Sequence, residues 1–234
     1  MNNDQNPYQF PEGMRPWNTP PQGRSLGLGA VLGKTYALLA ATLVVSALAA
    51  VYGMTSPFAY QHPFLIMIGA FVLLFAVQYT GAHRSPFAVP LVFAFSAGMG
   101  MMMGPAIEMY LRMPNGAQIL AEALGATAFM FVGLSAYAMT TRRDFSSMAG
   151  FLLTGLLLAI GVSLLNMFLL HLPALQLAIA GVLVLVFSGL IIFDTQRMVR
   201  GGIQEPVLLV VGLYLDIINL FMALLQIFGG TSRE

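Results

Sequence analysis

The sequence predicts an all-α membrane protein, a bundle of seven transmembrane helices. Three observations predict it. Of 234 residues, 58% are hydrophobic and 8% are charged, where a soluble domain carries about 25% charged side chains. The apolar residues fall into seven long runs without period-2 alternation, which favours helices over an outer-membrane barrel. The basic residues gather in alternate breaks between the runs, as expected of a chain oriented in a bilayer. Nineteen charged side chains are too few to cover this surface in water, which argues against a soluble enzyme. The formal net charge of +1 offers nothing to a nucleic acid. There is no cysteine, hence no disulfide or thiolate chemistry.

A helix needs about 20 mostly apolar residues to cross roughly 30 Å of hydrocarbon. Residues 1–30 do not qualify. They are rich in Asn, Gln, Pro and Gly and lack the short apolar core of a secretory signal, so a retained, flexible tail is expected. The membrane domain is expected over 31–230, with 231–234 as a short C-terminal tail. Its runs are 32–54, 63–80, 87–110, 117–139, 148–170, 175–193 and 207–228. Turn residues punctuate them: Ser56-Pro57, His62-Pro63, Ser85-Pro86, Pro114-Asn115-Gly116, His171-Leu172-Pro173 and Gly201-Gly202. The last run carries Asp216 in its middle, which leaves a six-span alternative with that segment re-entrant. With the N-terminus in the cytoplasm, eight basic residues fall inside (Arg15, Arg24, Lys34, Arg84, Arg142, Arg143, Arg197, Arg200) and two outside (Arg112, Arg233).

Small residues let helices approach closely in lipid. Gly100 and Gly104 on the third run are such a pair, followed by Pro105 and an expected kink. Gly155, Ala159, Ser163 and Asn166 form a stripe on the fifth run, and Gly212, Asp216, Asn219 and Ala223 one on the seventh. Both stripes are expected to face the bundle centre, with plain helix packing as the simpler explanation. The run of Met99, Met101, Met102 and Met103 has no Cys or clustered His beside it, so no soft-metal site is expected. His62, His83 and His171 lie in separate loops and give no ligand spacing. No nucleotide or hydrolase fingerprint is present, and neither a cofactor nor a tight metal site is expected.

The acids within the spans carry most information. Glu122 opens the fourth run, Asp194 closes the sixth, and Asp216 lies roughly 13 Å into the seventh. A charge at the centre of a span costs roughly 2.5–3.5 kcal/mol, so it is functional by default. No Lys or Arg lies within the core of any span to neutralise these acids. A carboxyl alone in hydrocarbon stays protonated, whereas two within reach share a proton and titrate as a pair. An interfacial, solvated Asp194 without function is the bland alternative.

At these residues the chain resembles a known family. The run GLIIFDTQRM followed by LYLDIINLFMALLQIFGG looks like the C-terminal signature of the Bax inhibitor-1 family of membrane proteins. The likeness extends to FSAGMGMMMGPAIEMYL and to AEALGATAFMFVGLSAYAMTTRRDFSSMAG, hence to essentially everything after residue 30. The latter run and LPALQLAI look closest to the bacterial YccA-like branch. The resemblance implies a last helix wrapped by two layers of three. It implies a pH-sensitive calcium leak gated by Asp194 and Asp216, with Glu122 at the family's segment-four glutamate. In this reading Glu122 and Asn219 belong to the ion pathway. Calcium takes six to eight oxygens, so these few carboxylates suit weak, permeating cations better than a tight site. The branch resemblance implies instead a non-conducting substrate and modulator of the membrane AAA protease FtsH, engaged through the N-terminal tail in a bacterial inner membrane. The arginine with which some members latch the aspartates is missing from the second span; Arg84, with His83 beside it, is the nearest substitute and lies on the side of Asp194. An intramembrane aspartyl protease fits less well. The Gly-x-Gly-Asp motif is absent, and Pro173-Ala174-Leu175 precedes both aspartates. No enzymatic activity is expected.

Overall fold

The computed structural model describes residues 28–200 and 205–231, and all regular structure among them is helical. The helices are α1 (Leu28–Thr55), α2 (Pro57–Gln61), α3 (Pro63–Ala82), α4 (Ala88–Leu111), α5 (Gly116–Thr140), α6 (Ala149–Leu165), α7 (Pro173–Val199) and α8 (Pro206–Thr231). A 3-10 turn, Ser146–Met148, leads into α6, and a π turn, Asn166–Leu170, prolongs it. Among the described residues seven of these helices are long and apolar enough to cross a membrane. All seven expected spans are present, and the protein is a multi-pass membrane protein. The five-residue α2 fills the Ser56–His62 break, where Pro57 supplies a helix-ready first residue.

The six-span alternative is overturned. α8 runs unbroken for 26 residues, about 39 Å at 1.5 Å per residue. Leu28–Ala30 are already helical, as is Thr231. The expected tails, the Gly201-Gly202 break and Arg15, Arg24 and Arg233 lie outside the described residues. The remaining basic residues keep their predicted asymmetry. Helix direction puts Lys34, Arg84, Arg142, Arg143, Arg197 and Arg200 at the end where α1 begins, and Arg112 at the other.

α8 is the central helix. Of its apolar window 72% is buried, against 11–39% for the other six spans. It lies between α1, α3 and α4 on one side and α5, α6 and α7 on the other, touching most of them. Being apolar around nearly its whole circumference suits it to that place. Leu213, Tyr214, Leu220 and Leu225 are fully enclosed.

The closest packing joins α1 to α4, and it depends on glycine. A side chain at Gly100 would run into the backbone of Ser46, and one at Gly104 into Ala50, Gly53 and Met54. Gly53 returns the arrangement against the carbonyl of Met101. Pro105 sits inside α4, which continues past it to Leu111.

The stripe on the fifth run is placed otherwise than expected. A Cβ at Gly155 would come within 3.4 Å of Val186 of α7, and α6 packs chiefly on α7 in the outer layer, not on the bundle centre. The centre is occupied by α8, so most of α6 is left to lipid, with Phe151, Leu153, Leu157 and Leu158 exposed. Asn166, the last member of the stripe, is a turn clamp. Its amide donates to the Leu172 carbonyl (3.2 Å) and its oxygen accepts from the Leu172 N–H (2.9 Å).

At the other end of α6 the α5–α6 turn is tied to α7. Buried Gln196 accepts from the Phe145 N–H (3.1 Å) and donates to the Arg143 carbonyl (2.8 Å). Arg200 donates to the same carbonyl and pairs with Asp144 at 3.0 Å. The Ser146 N–H, and then Arg200, hold the Asp144 carboxyl below its ordinary range.

Candidate functional site

The site lies along the seam between α7 and α8. Asp194 sits in the second-last turn of α7, half-buried, with its carboxylate directed at α8. There it rests on Gly212, where any side chain would overlap its Oδ2 atom. Glycine is what admits a carboxylate to the α8 backbone. Asp216 follows one turn later on the same face of α8. It is 5% exposed, and its Oδ2 has no hydrogen-bond partner among the described residues. Both carboxyls therefore belong to one seam. A buried polar atom without a partner is rare in a native protein and asks for a functional explanation.

The opposite side of α8 is pinned. The Tyr214 hydroxyl shares a hydrogen bond with Ser46 Oγ at 2.8 Å and lies 3.3 Å from the Ser96 carbonyl. Its ring meets Phe95 edge-on at 5.7 Å. These contacts tie α8 to α1 and α4, while at Gly212 it meets the Asp194 carboxylate of α7. Next to Asp194 in sequence, Thr195 faces Ser135 at 3.4 Å, and the Tyr36 hydroxyl approaches both. A small hydroxyl cluster thus joins α1, α5 and α7 beside the acids.

The cation beside Asp194 is Arg197, one turn on in the same helix, with 3.7 Å between Nη1 and Oδ1. Its guanidinium also lies over the Phe193 ring, 5.3 Å from the centroid. Arg84, expected to reach Asp194, instead pairs with Glu205 just before α8. Its backbone is left-handed, with φ 53°, and carries the side chain over the start of α8 instead of across to α7. His83 turns back on its own helix: Nδ1 meets the Tyr79 carbonyl at 2.7 Å and the ring lies over Tyr79. Arg197 was legible at i+3 from Asp194; Tyr214 carried no such signal.

Asn219 stands one turn beyond Asp216 and donates its amide to the Leu215 carbonyl at 2.8 Å, which leaves its oxygen free to accept. Glu122 is not brought to the pair. It lies on the exposed side of α5, bonded to Gln118 at 2.8 Å, toward the end of the bundle remote from Asp194. No group of three or more metal-ligating side chains occurs among the described residues.

Comparison with known proteins places this architecture. Residues 28–233 match the family model described as inhibitor of apoptosis-promoting Bax1. An uncharacterized membrane protein of Vibrio cholerae is 41% identical over 206 residues, covering 88% of this chain and 92% of its own. The modulator of FtsH protease YccA, from Escherichia coli K12, is 37% identical over 204 residues, covering 87% and 91%. Bax inhibitor 1 of Schizosaccharomyces pombe is 34% identical over 209 residues, covering 86% and 76%. The chain belongs to the Bax inhibitor-1 family and is similar to its YccA-like bacterial members.

Proposed function

We propose that this protein is a pH-sensitive leak for calcium and similar cations in the inner membrane, gated at the α7–α8 seam by Asp194 and Asp216. The observation that carries the reading is Asp216: buried on the central helix, one oxygen unpartnered, one turn from the glycine on which Asp194 rests. Two carboxyls on one seam hold it together while they share a proton and repel across it once both are ionised. α8 occupies the bundle centre, so a change at its only acidic face is a change in the plug. Asn219 offers a further oxygen along that face, and Glu122 draws cations toward the far side. Such sparse ligands bind calcium weakly, which conduction requires.

The test is calcium entry into proteoliposomes between about pH 5 and about pH 8. Wild-type flux is expected to change across that range. Asn mimics the protonated acid, so Asp216→Asn and Asp194→Asn at the alkaline end are expected to reproduce wild-type flux at the acid end. A pH response that survives both substitutions would refute the gate.

A second reading rests on the relative named a modulator of FtsH protease. In it the chain acts through protein contacts with an FtsH-type protease, with the N-terminus in the cytoplasm as the basic residues favour. Deleting residues 1–25 is then expected to abolish co-purification with the protease while the bundle keeps its melting temperature. Undiminished co-purification would count against this reading and leave the leak untouched.

A further inference from the structure

At the end of the bundle where α1 begins, a cavity of about 540 Å³ opens between α1, the α3–α4 turn and the start of α8. Its wall is apolar, made by Ala37, Leu38, Ala41, Ala88, Val89 and Val207. Its polar groups are Lys34, Arg84, Ser85 and Glu205. From Lys34 to Ala41 is two turns, so the apolar part runs about 10 Å down α1 from the charged level. Four spans begin or end here, which places the basic groups at headgroup height and the apolar wall in hydrocarbon.

The charges are not balanced. Arg84 and Glu205 form an ion pair through Nε, which leaves the Nη hydrogens of the guanidinium available. Lys34 is exposed and has no ion pair among the described residues. Two cations against one carboxylate leave a net positive site. Arg84 also occupies a position that favours glycine. The Ser85 N–H bonds to the Thr80 carbonyl (2.9 Å) and the Arg84 N–H to that of Gly81 (3.0 Å), the two bonds that close a helix over a left-handed residue. A long cationic side chain is held there at the expense of backbone comfort, and it stands at the rim of the cavity.

We propose that this cavity binds one anionic phospholipid, its phosphate between Lys34 and the Arg84 guanidinium and an acyl chain along the apolar wall of α1 and α8. A soluble anion would leave that wall uncovered, and a zwitterionic headgroup would bring its own cation against Lys34. Basic pockets between spans on the cytoplasmic side are suited to such headgroups. Because Glu205 directly precedes α8 and Val207 lies in its first turn, an occupied site braces the central helix at the end nearest Asp194.

The test is native mass spectrometry of the purified full chain titrated with phosphatidylglycerol, phosphatidylcholine and, separately, inorganic phosphate. One phosphatidylglycerol per chain is expected, retained at least fivefold better than phosphatidylcholine. Lys34→Gln, on an exposed helical face, and Arg84→Gly, which eases the backbone while removing the charge, are each expected to weaken retention about fivefold. Arg142→Gln, at the same end but outside the cavity, is expected to leave it unchanged. Equal retention of both lipids, retention unaltered in both cavity variants, or displacement of the lipid by inorganic phosphate would each overturn the assignment.

Discussion

Gly100→Val is expected to leave little folded protein in the membrane, whereas Gly98→Ala, two residues earlier on the same helix, is expected to melt at or slightly above the wild-type temperature. The contrast follows from what each new side chain meets. At Gly100 a Cβ would lie 2.8–2.9 Å from the carbonyl carbon and Cα of Ser46, and closer still to its oxygen. Backbone cannot swing aside as a side chain can, so α1 and α4 must separate. Overpacking of this kind costs about 1–3 kcal/mol, and near 200 residues each kcal/mol lowers a melting temperature by roughly 2–4 °C. A loss of about 2–12 °C is therefore expected from the overpacking alone. It is compounded because Ser46 also holds Tyr214, so the same displacement stretches the bond that pins α8. At Gly98 the nearest atom is the Ala70 methyl at 3.9 Å, an ordinary contact. Alanine there gains helix propensity at no steric cost. Equal melting of the two variants in detergent would mean that α1 and α4 do not meet at Ser46.

Gly212→Ala is expected to produce the largest change in flux without touching either acid. The added methyl occupies the place of Asp194 Oδ2, so the carboxylate must leave the seam or α7 must move with it. If the 1–3 kcal/mol of overpacking falls on the closed seam, the open-to-closed ratio rises by roughly 5–150-fold. Calcium entry at a fixed pH reads that change directly. Gly189→Ala on α7 is the matched control, because its methyl would meet the end of the Leu152 side chain, away from either acid, instead of a carboxylate. Flux and pH response equal to wild type in Gly212→Ala would show that the contact between Asp194 and the α8 backbone has no part in gating.

Much of this fold was legible before any coordinates, and the reason is local. Each span announces itself by the length of its apolar run, and most breaks by Pro, Gly or Asn at their edge, that between the fourth and fifth runs by charge instead. The expected limits accordingly lie within a few residues of the helix ends. α2 escaped notice because five residues between two prolines read as turn chemistry whether or not they wind into a helix. The Gly100–Gly104 pair was legible as an interface because small residues in lipid have few other uses. The stripe on α6 was not, since small residues show that a helix has a neighbour but not which one.

The acids divide in the same way. That Asp216 would be buried near mid-membrane followed from its place in an apolar run, and the structure puts it in the middle of α8. Its unpartnered oxygen, the glycine beneath Asp194 and the pairing of Arg84 with Glu205 instead of an aspartate are relations between helices. Arg84 and Glu205 are 121 positions apart in sequence, and Ser46 and Tyr214 are 168 apart. The seven apolar runs, the asymmetry of basic residues and the family signature were determined by the sequence alone, because hydrophobic length, charge and motif are read along the chain. That the seventh run is an unbroken span, that Asp194 rests on Gly212 and that Arg84 pairs with Glu205 were decided only by tertiary structure. Seven apolar helices are nearly interchangeable in lipid until glycines, hydroxyls and buried carboxyls select which surfaces come together.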